Sequence, residues 1–260
     1  MKAADFRAHC QEVAHWVDWS NTVDQFMHGN PEAEVRGIAT TWLPTDAVLR
    51  EAAARGLNFV IAHEGAFYPR YVGTASGDRH HAAKRRLLDE LGLTLFRCHD
   101  TWDRMPEVGI PDAWAALFGF PTEPRPVESF HRICLVEGRT VEAVARVVLE
   151  RVRPLGQETV GLLGDPRARV YRLGVGTGAI VRLPELHALG ADVILATDDA
   201  LQTTASGLWS MDLGVPLLVV SHATAELPGM QAMVGYLERR FPGVPVGYLE
   251  CGFPYPAMVR

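Results

Sequence analysis

Apolar runs and polar stretches alternate along this chain in a pattern typical of a parallel α/β sheet. Four times a helical pattern passes through a glycine into an apolar run that ends on ionisable side chains. Runs of this length, rich in Val, Ile and Leu, are typical of strands buried on both faces. Ligand crevices in open α/β sheets lie beyond the carboxyl ends of the strands, so these side chains are expected to face one region. The four runs end at His63-Glu64, His99-Asp100, Asp198-Asp199 and His222.

The alternation predicts two α/β lobes with mostly parallel sheets. We place the first lobe at residues 1–125 and the second at 126–260, divided at the proline-rich stretch Pro121–Pro126. An amphipathic helix is expected near the N-terminus, then a turn-rich stretch at 21–34, and a glycine- and aromatic-rich loop at 65–77. Strands are predicted at 35–41, 57–62, 93–98, 133–136, 170–173, 191–197, 215–220 and near Val246, and helices at 44–54, 78–91, 112–118, 141–152, 201–213 and 224–241.

Composition excludes several classes of protein. The chain has 260 residues, of which 48% are hydrophobic, and a net charge of −6, so it has no general electrostatic attraction to nucleic acid or anionic membranes. No apolar stretch approaches the roughly 20 residues that span a bilayer. The cysteines form no C-x-x-C pair and are interpreted as reduced core thiols of a cytoplasmic protein. They are Cys10, Cys98, Cys134 and Cys251.

Three segments pair an imidazole with a carboxylate. His222 and Glu226 are four residues apart where a strand gives way to a helix, so both could reach one metal ion. A second pair, His63-Glu64, follows another strand, and a third pair, His99 with Asp103, follows a further one. Taken singly, each pair is more commonly structural, as a capping or core His beside a surface acid. Together they favour a shared divalent metal site.

The order of these segments resembles one family, the NGG-interacting-factor-three family of dinuclear metal-centre proteins. GLNFVIAHEG resembles the family's strand ending in T-H-H-P, and CHDTWD resembles its H-T-N-L-D. GADVILATDD is similar to its G-A-D-x-x-I-T-G-D segment, and SHATAE to its G-H-x-x-x-E. The run Gly174–Gly178 is similar to a glycine-rich stretch found before that G-A-D segment. The five segments occur in the family's order over most of the chain.

The resemblance implies a two-lobed α/β fold, two divalent ions in the cleft between the lobes, and a ring-shaped hexamer. It implies that Glu226 bridges both ions and that His99 lies beside the site as a proton-transfer residue rather than a ligand. The metal ligands that it implies are His63, Glu64, Asp103, His222 and Glu226.

This sequence departs from the family pattern at Glu64, where a second His is usual. Glu64, Asp103 and Glu226 would bring a charge of −3 against +4 from two divalent ions, whereas the usual pattern brings −2. A harder, more anionic site should shift preference from zinc toward manganese, iron or magnesium. The loop after His99 and the N-terminal Trp19-Ser20-Asn21 also match the family only loosely.

Three other features have two interpretations each. The glycine run could cradle a phosphate, but its third glycine comes one residue early for a dinucleotide motif, so a tight turn is preferred and no cofactor-binding residues are assigned. Asp198 and Asp199 could support the metal site or cap the next helix. The basic cluster on the third predicted helix could be a solvated face or could attract phosphate-bearing substrates. Its members are His80, His81, Lys84, Arg85 and Arg86.

The leading hypothesis is therefore a cytoplasmic divalent-metal-dependent hydrolase of a small molecule, through GTP cyclohydrolase-like or phosphoester chemistry. Its cofactors would be two Zn, Mn, Fe or Mg ions. The alternative is a metal-binding scaffold or regulator that binds a protein partner. A nucleotide-dependent oxidoreductase is a third hypothesis, which requires NAD(P)H binding.

Overall fold

The computed structural model describes residues 1–67, 73–126 and 129–252 and resolves two compact units. The first unit comprises 1–105 and 230–251, and the second comprises 106–229 with the segment from 252 onward. This division differs from the predicted boundary after residue 125, because the chain returns to the first unit near its C-terminus. Part of the predicted loop at 65–77 lies outside the described residues.

The described elements alternate as the sequence predicts. The helices are α1 Ala3–Val13, α2 Asp46–Ala54, α3 Ala75–Leu91, α4 Ile110–Leu117, α5 Val141–Val152, α6 Leu183–Ala188, α7 Thr203–Leu213 and α8 His222–Arg240. The strands are β1 Gln25–His28, β2 Ile38–Thr41, β3 Phe59–Ala62, β4 Thr94–Arg97, β5 Arg132–Thr140, β6 Gly161–Leu163, β7 Arg169–Val175, β8 Val193–Thr197, β9 Leu217–Val220 and β10 Val246–Tyr248. None of the helices in this described part combines the length and apolar character that a bilayer crossing requires.

The first unit contains a sheet in the order β1-β4-β3-β2-β10. Only the β1–β4 pairing is antiparallel, and the other neighbours in this sheet run parallel. One face packs on α2 and α3 through residues such as Val60 and Leu88, and the other carries edge-to-face contacts among Phe6, Phe59 and Phe96. β2 and β3 are buried at every position, which explains why β3 is apolar throughout, and β2 adds two buried threonines to Ile38 and Ala39.

The second unit contains a sheet in the order β5-β7-β8-β9-β6. Its inner pairings, β7–β8 and β8–β9, are parallel, whereas both edge pairings are antiparallel. Both sheets are therefore mixed, with parallel strands in their interiors, and this confirms the predicted α/β class. Parallel pairings form the majority only in the first sheet. One core packs α5 against this sheet, and a separate core packs α6 against its other face.

Several elements were not predicted or were assigned elsewhere. β1 lies in the stretch 21–34 that was expected to be turn-rich, and β6 and α6 were not predicted. β10, expected in the second lobe, pairs with β2 of the first sheet. Threonine N-caps begin α2 and α5 as local sequence suggests, with the Thr45 and Thr140 hydroxyls accepting from the backbone N–H groups of Val48 and Ala143.

Candidate metal centre

The first unit brings His63, His99 and Asp103 together beyond the ends of β3 and β4. One nitrogen or carboxylate oxygen from each lies within 4.8 Å of those from the other two. The imidazoles of His63 and His99 are stacked, with ring centroids 4.5 Å apart. His63 is fully buried, and Asp103 is 5% exposed. β3 and β4 are parallel neighbours, so the residues that follow them emerge at one edge of the sheet, as the sequence predicts.

The hydrogen bonds of this group fit a divalent metal. His63 Nδ1 lies 3.3 Å from the carbonyl oxygen of Cys98, so its N–H donates there and the ring lone pair lies on Nε2. That Nε2 is 3.6 Å from Asp103 Oδ1. A neutral imidazole nitrogen and a carboxylate oxygen at this separation form a donor pair for a cation, and N/O donor sets suit Zn and Mn alike.

His99 contacts the other oxygen of Asp103. Its Nδ1 lies 3.2 Å from Asp103 Oδ2 and 3.0 Å from Asp100 Oδ1. The hydrogen bond from His99, together with one from Thr22, lowers the pKa of the Asp100 carboxyl to about 2. His99 therefore orients Asp103 through Nδ1, and its side chain remains about a quarter exposed.

Asp24 positions the loop that carries His99. It is 1% exposed, and its carboxylate accepts backbone N–H bonds from His99 at 2.6 Å, Asp100 at 2.8 Å and Thr101 at 2.8 Å. Three charge-assisted bonds to consecutive amides fix the backbone of the loop. Sequence analysis missed Asp24 because it lies about 75 residues away in the stretch interpreted as turn-rich.

Glu64 is held by Arg97, the last residue of β4. Arg97 Nη2 donates to Glu64 Oε2 at 2.9 Å, and Arg97 Nε donates to the carbonyl oxygen of His63 at 3.1 Å. Arg97 pairs in register with Ala62, so the sheet fixes it beside the His63-Glu64 segment. Sequence analysis did not single out Arg97.

The second unit brings His222 and Glu226 together on the first turn of α8. Their Nε2 and Oε1 atoms are 2.9 Å apart, which confirms that the four-residue spacing places both on one helix face. Glu226 is 2% exposed. A buried carboxylate facing an imidazole nitrogen fits a metal ligand pair.

Asp198 and Asp199 both contact His222. Asp198 Oδ1 accepts from the backbone N–H of His222 at 2.8 Å, which caps α8 rather than the helix that follows Asp198 in sequence. Asp199 Oδ2 lies 2.8 Å from His222 Nδ1. This carboxylate fixes the imidazole so that Nε2 faces Glu226.

Gly178 leaves the space that this pair requires. A Cβ built there would lie 2.7 Å from Glu226 Oε1 and 3.3 Å from His222 Nε2. The residue also has φ of +60°, a conformation that favours glycine. The other glycines of the run, Gly174 and Gly176, allow close packing, since added Cβ atoms would lie 2.8 Å from Ala191 and 2.7 Å from Val181. The glycine run therefore allows close packing and leaves room for His222 and Glu226, which agrees with its interpretation as a tight turn.

The basic cluster on α3 is not a single solvated face. His81 and Lys84 are each 8% exposed, and Lys84 Nζ donates to the Pro44 carbonyl at 3.0 Å. Arg85 lies over the Phe67 ring at 4.2 Å. Three of the five residues of the predicted patch are thus engaged in contacts within the first unit.

Comparison with known proteins yields one family and several similar folds. The model of the family described as Duf34/NIF3 (NGG1p interacting factor 3) matches residues 2–251. A Pseudomonas aeruginosa protein named GTP cyclohydrolase 1 type 2 homolog is 27% identical over 254 residues, covering 95% of this chain and 96% of that protein. The Bacillus cereus protein related to NIF3 is similar in structure, with a TM-score of 0.80 at 12% identity over 100% of this chain and 99% of its own. Staphylococcus aureus SA1388 gives 0.79 at 17% identity over 99% of both chains. At these identities, the structural likeness shows the fold.

Proposed function

This chain belongs to the Duf34/NIF3 family, as its motifs predicted, and on that premise we propose that it is a divalent-metal-dependent hydrolase of a small molecule. The proposal rests on an arrangement of one imidazole and one carboxylate that occurs in both units. In each unit, an imidazole Nδ1 is held by an acceptor, and its Nε2 faces a carboxylate: His63 faces Asp103, and His222 faces Glu226. Metal-binding histidines are oriented in this way.

The proposed centre holds two divalent ions, Zn, Mn, Fe or Mg. Its ligands would be the five residues that the family resemblance implies. Bound divalent ions acidify water and polarise the bond to be cleaved. The contributions of the chain are orientation and charge. Asp24 holds the loop of His99, Asp199 holds His222, and the carboxylates balance the charge of the ions.

His99 is the proposed proton-transfer residue. Its Nδ1 is engaged by Asp100 and Asp103, so its partly exposed ring can exchange a proton through Nε2 with water or a substrate. The charge of Asp100 is retained over the physiological range, because its pKa is about 2.

The substrate class is proposed from the name of the Pseudomonas aeruginosa relative, GTP cyclohydrolase 1 type 2 homolog. A purine nucleotide ring is therefore the first candidate, and phosphoesters and cyclic amides are the next. The test is turnover by the full chain reloaded with Mn²⁺ or Zn²⁺ on GTP, phosphoesters and cyclic amides. We expect wild-type rates well above those of His222→Ala. Equal background rates on every substrate would refute the hydrolase.

A metal-binding scaffold that docks a protein partner is the second candidate. It is favoured by the exposed apolar surface of α7, where Leu208, Met211 and Leu213 are 61%, 71% and 54% exposed. The same surface could join copies of this chain in the proposed hexamer. Light scattering after size exclusion gives the oligomeric mass, and Leu208→Asp with Met211→Asp should lower it if α7 lies in the interface. A wild-type mass of one chain would exclude the hexamer.

A further inference from the structure

Arg97 and Glu64 form an ion pair at the point where the metal centre is proposed. Each side chain is roughly four-fifths buried, at 21% and 23% exposure. The Arg97 guanidinium also donates to the carbonyl oxygen of His63 and therefore contacts two consecutive residues of one segment. The register of β3 and β4 fixes this arrangement, so the pair is built into the sheet.

A guanidinium keeps its charge at every pH that the fold tolerates. It therefore places a permanent positive charge 2.9 Å from one oxygen of the carboxylate that a second ion would use. An ion approaching Glu64 must share the carboxylate with Arg97 and is repelled by its charge, and both effects grow with burial. His63 binds the Cys98 carbonyl oxygen through Nδ1 and faces Asp103 Oδ1 with its other nitrogen, Nε2. Arg97 binds neither Nε2 nor Asp103 Oδ1.

We propose that Arg97 makes the two metal positions unequal. The position that Asp103 serves binds a divalent ion tightly, and the position that Glu64 serves binds a second ion weakly, because a guanidinium already neutralises the Glu64 carboxylate. Arg97 thus acts as a residue that positions Glu64, and its charge takes the place of one cation at the carboxyl ends of the strands. The inference rests on the proposed two-ion site and concerns its affinities, not its reaction.

The charge balance supports this inference. The three ligand carboxylates bring −3, and with Arg97 the charge of the set is −2. Arg97 therefore offsets one of the three negative charges that would attract the second ion.

The test is calorimetric titration of the chelator-treated full chain with Mn²⁺ and, separately, Zn²⁺, with metal per chain counted after dialysis. The wild type should retain one ion and bind the second at least about tenfold more weakly. Arg97→Gln should raise the affinity for the second ion by about tenfold or more, and Arg97→Lys, which keeps the charge, should not. Glu64→Gln should leave the first ion in place. The double variant Glu64→Gln with Arg97→Gln should not show the increased affinity for the second ion that Arg97→Gln alone produces.

Arg172→Gln is the matched control. Arg172 binds the carboxylate of Glu123 and the carbonyl oxygen of Gly190 within the second unit, at similar exposure, and its loss should leave both affinities unchanged. Two ions of equal affinity in the wild type, or an Arg97→Gln chain folded by circular dichroism with an unchanged second site, would overturn the inference alone. A wild-type chain that binds no ion would remove this inference and the proposed metal function together.

Discussion

His222 Nδ1 and Asp199 Oδ2 lie 2.8 Å apart, and this contact aims the opposite nitrogen of the ring at Glu226. The carboxylate fixes the tautomer and makes the imidazole a stronger ligand. The two residues are separated by 23 positions and meet because β8 and β9 are parallel neighbours.

Asp199→Asn should therefore weaken metal binding without unfolding the chain. Asparagine can still accept from Nδ1–H, so the ring keeps its orientation but loses the charge that raises its basicity. We expect affinity for Zn²⁺ to fall about tenfold. Asp165→Asn, in a surface turn where Asp165 accepts from Arg167, is the control and should bind as the wild type does. Equal affinities in both variants would show that Asp199 does not tune His222.

Gly178→Ala separates backbone strain from obstruction of the site. Its Cβ would meet Glu226 and His222, whereas a Cβ at Gly214, which has a similar φ of +65°, would meet nothing within 4 Å. Both substitutions should lower stability by about 1–2 kcal/mol through the left-handed backbone. Only Gly178→Ala should also reduce metal affinity, measured by titration beside thermal unfolding. A parallel loss of affinity in Gly214→Ala would assign the effect to strain.

Asp24→Asn should loosen the loop of His99 and Asp103. The amide offers one acceptor oxygen where the carboxylate now serves three backbone N–H groups, and its NH₂ group would face one of them. Each lost bond to a charged acceptor costs about 1.5–3 kcal/mol. We expect a lower melting temperature and weaker metal binding together. Asp18→Asn, which alters an exposed turn at Ser20, should change neither, and a stable Asp24→Asn chain with full affinity would contradict the anchoring role.

The strand ends could be predicted because the hydrophobic pattern itself marks them. Runs buried on both faces contain few polar residues before the strand stops, so His63, His99 and His222 stand out in sequence. Spacing alone placed His222 and Glu226 on one helix face. The side chains that orient these residues could not be found in this way, because Asp24 and Arg97 act across long sequence separations.

The same reasoning explains the errors in the fold. β1 has only four residues, of which Gln25 and His28 are polar, and it exists because it pairs with β4 at an edge, where burial is incomplete. β10 joins β2 through the pair Val246 and Ile38, a contact that no local pattern encodes. α6 begins at Leu183 and has Pro184 in its first turn, where proline is tolerated, and a helix of six residues gives too short an apolar pattern to be recognised in sequence.

Acid should destabilise the first unit through His9. This imidazole is 5% exposed, accepts from Arg240 Nε through Nδ1 at 3.0 Å, and lies 2.6 Å from the Tyr236 hydroxyl. Burial, and then the charge of Arg240, lowers its pKa from 6.5 in spite of the nearby Glu12. The unfolded chain therefore binds a proton before the folded chain does. The stabilisation is complete above about pH 6.5 and is lost as the pH falls from there through the folded pKa.

His9→Gln removes that titration while keeping an acceptor for Arg240 and a donor for Tyr236. The melting temperature of the wild type should fall more steeply than that of His9→Gln as the pH is lowered from about 7.5 to about 5. His15→Gln, on the exposed surface after α1, is the control and should retain the wild-type slope. If His9→Gln and the wild type lose stability in parallel, protons bind elsewhere in the unfolding reaction, and His9 is not the acid-sensitive group.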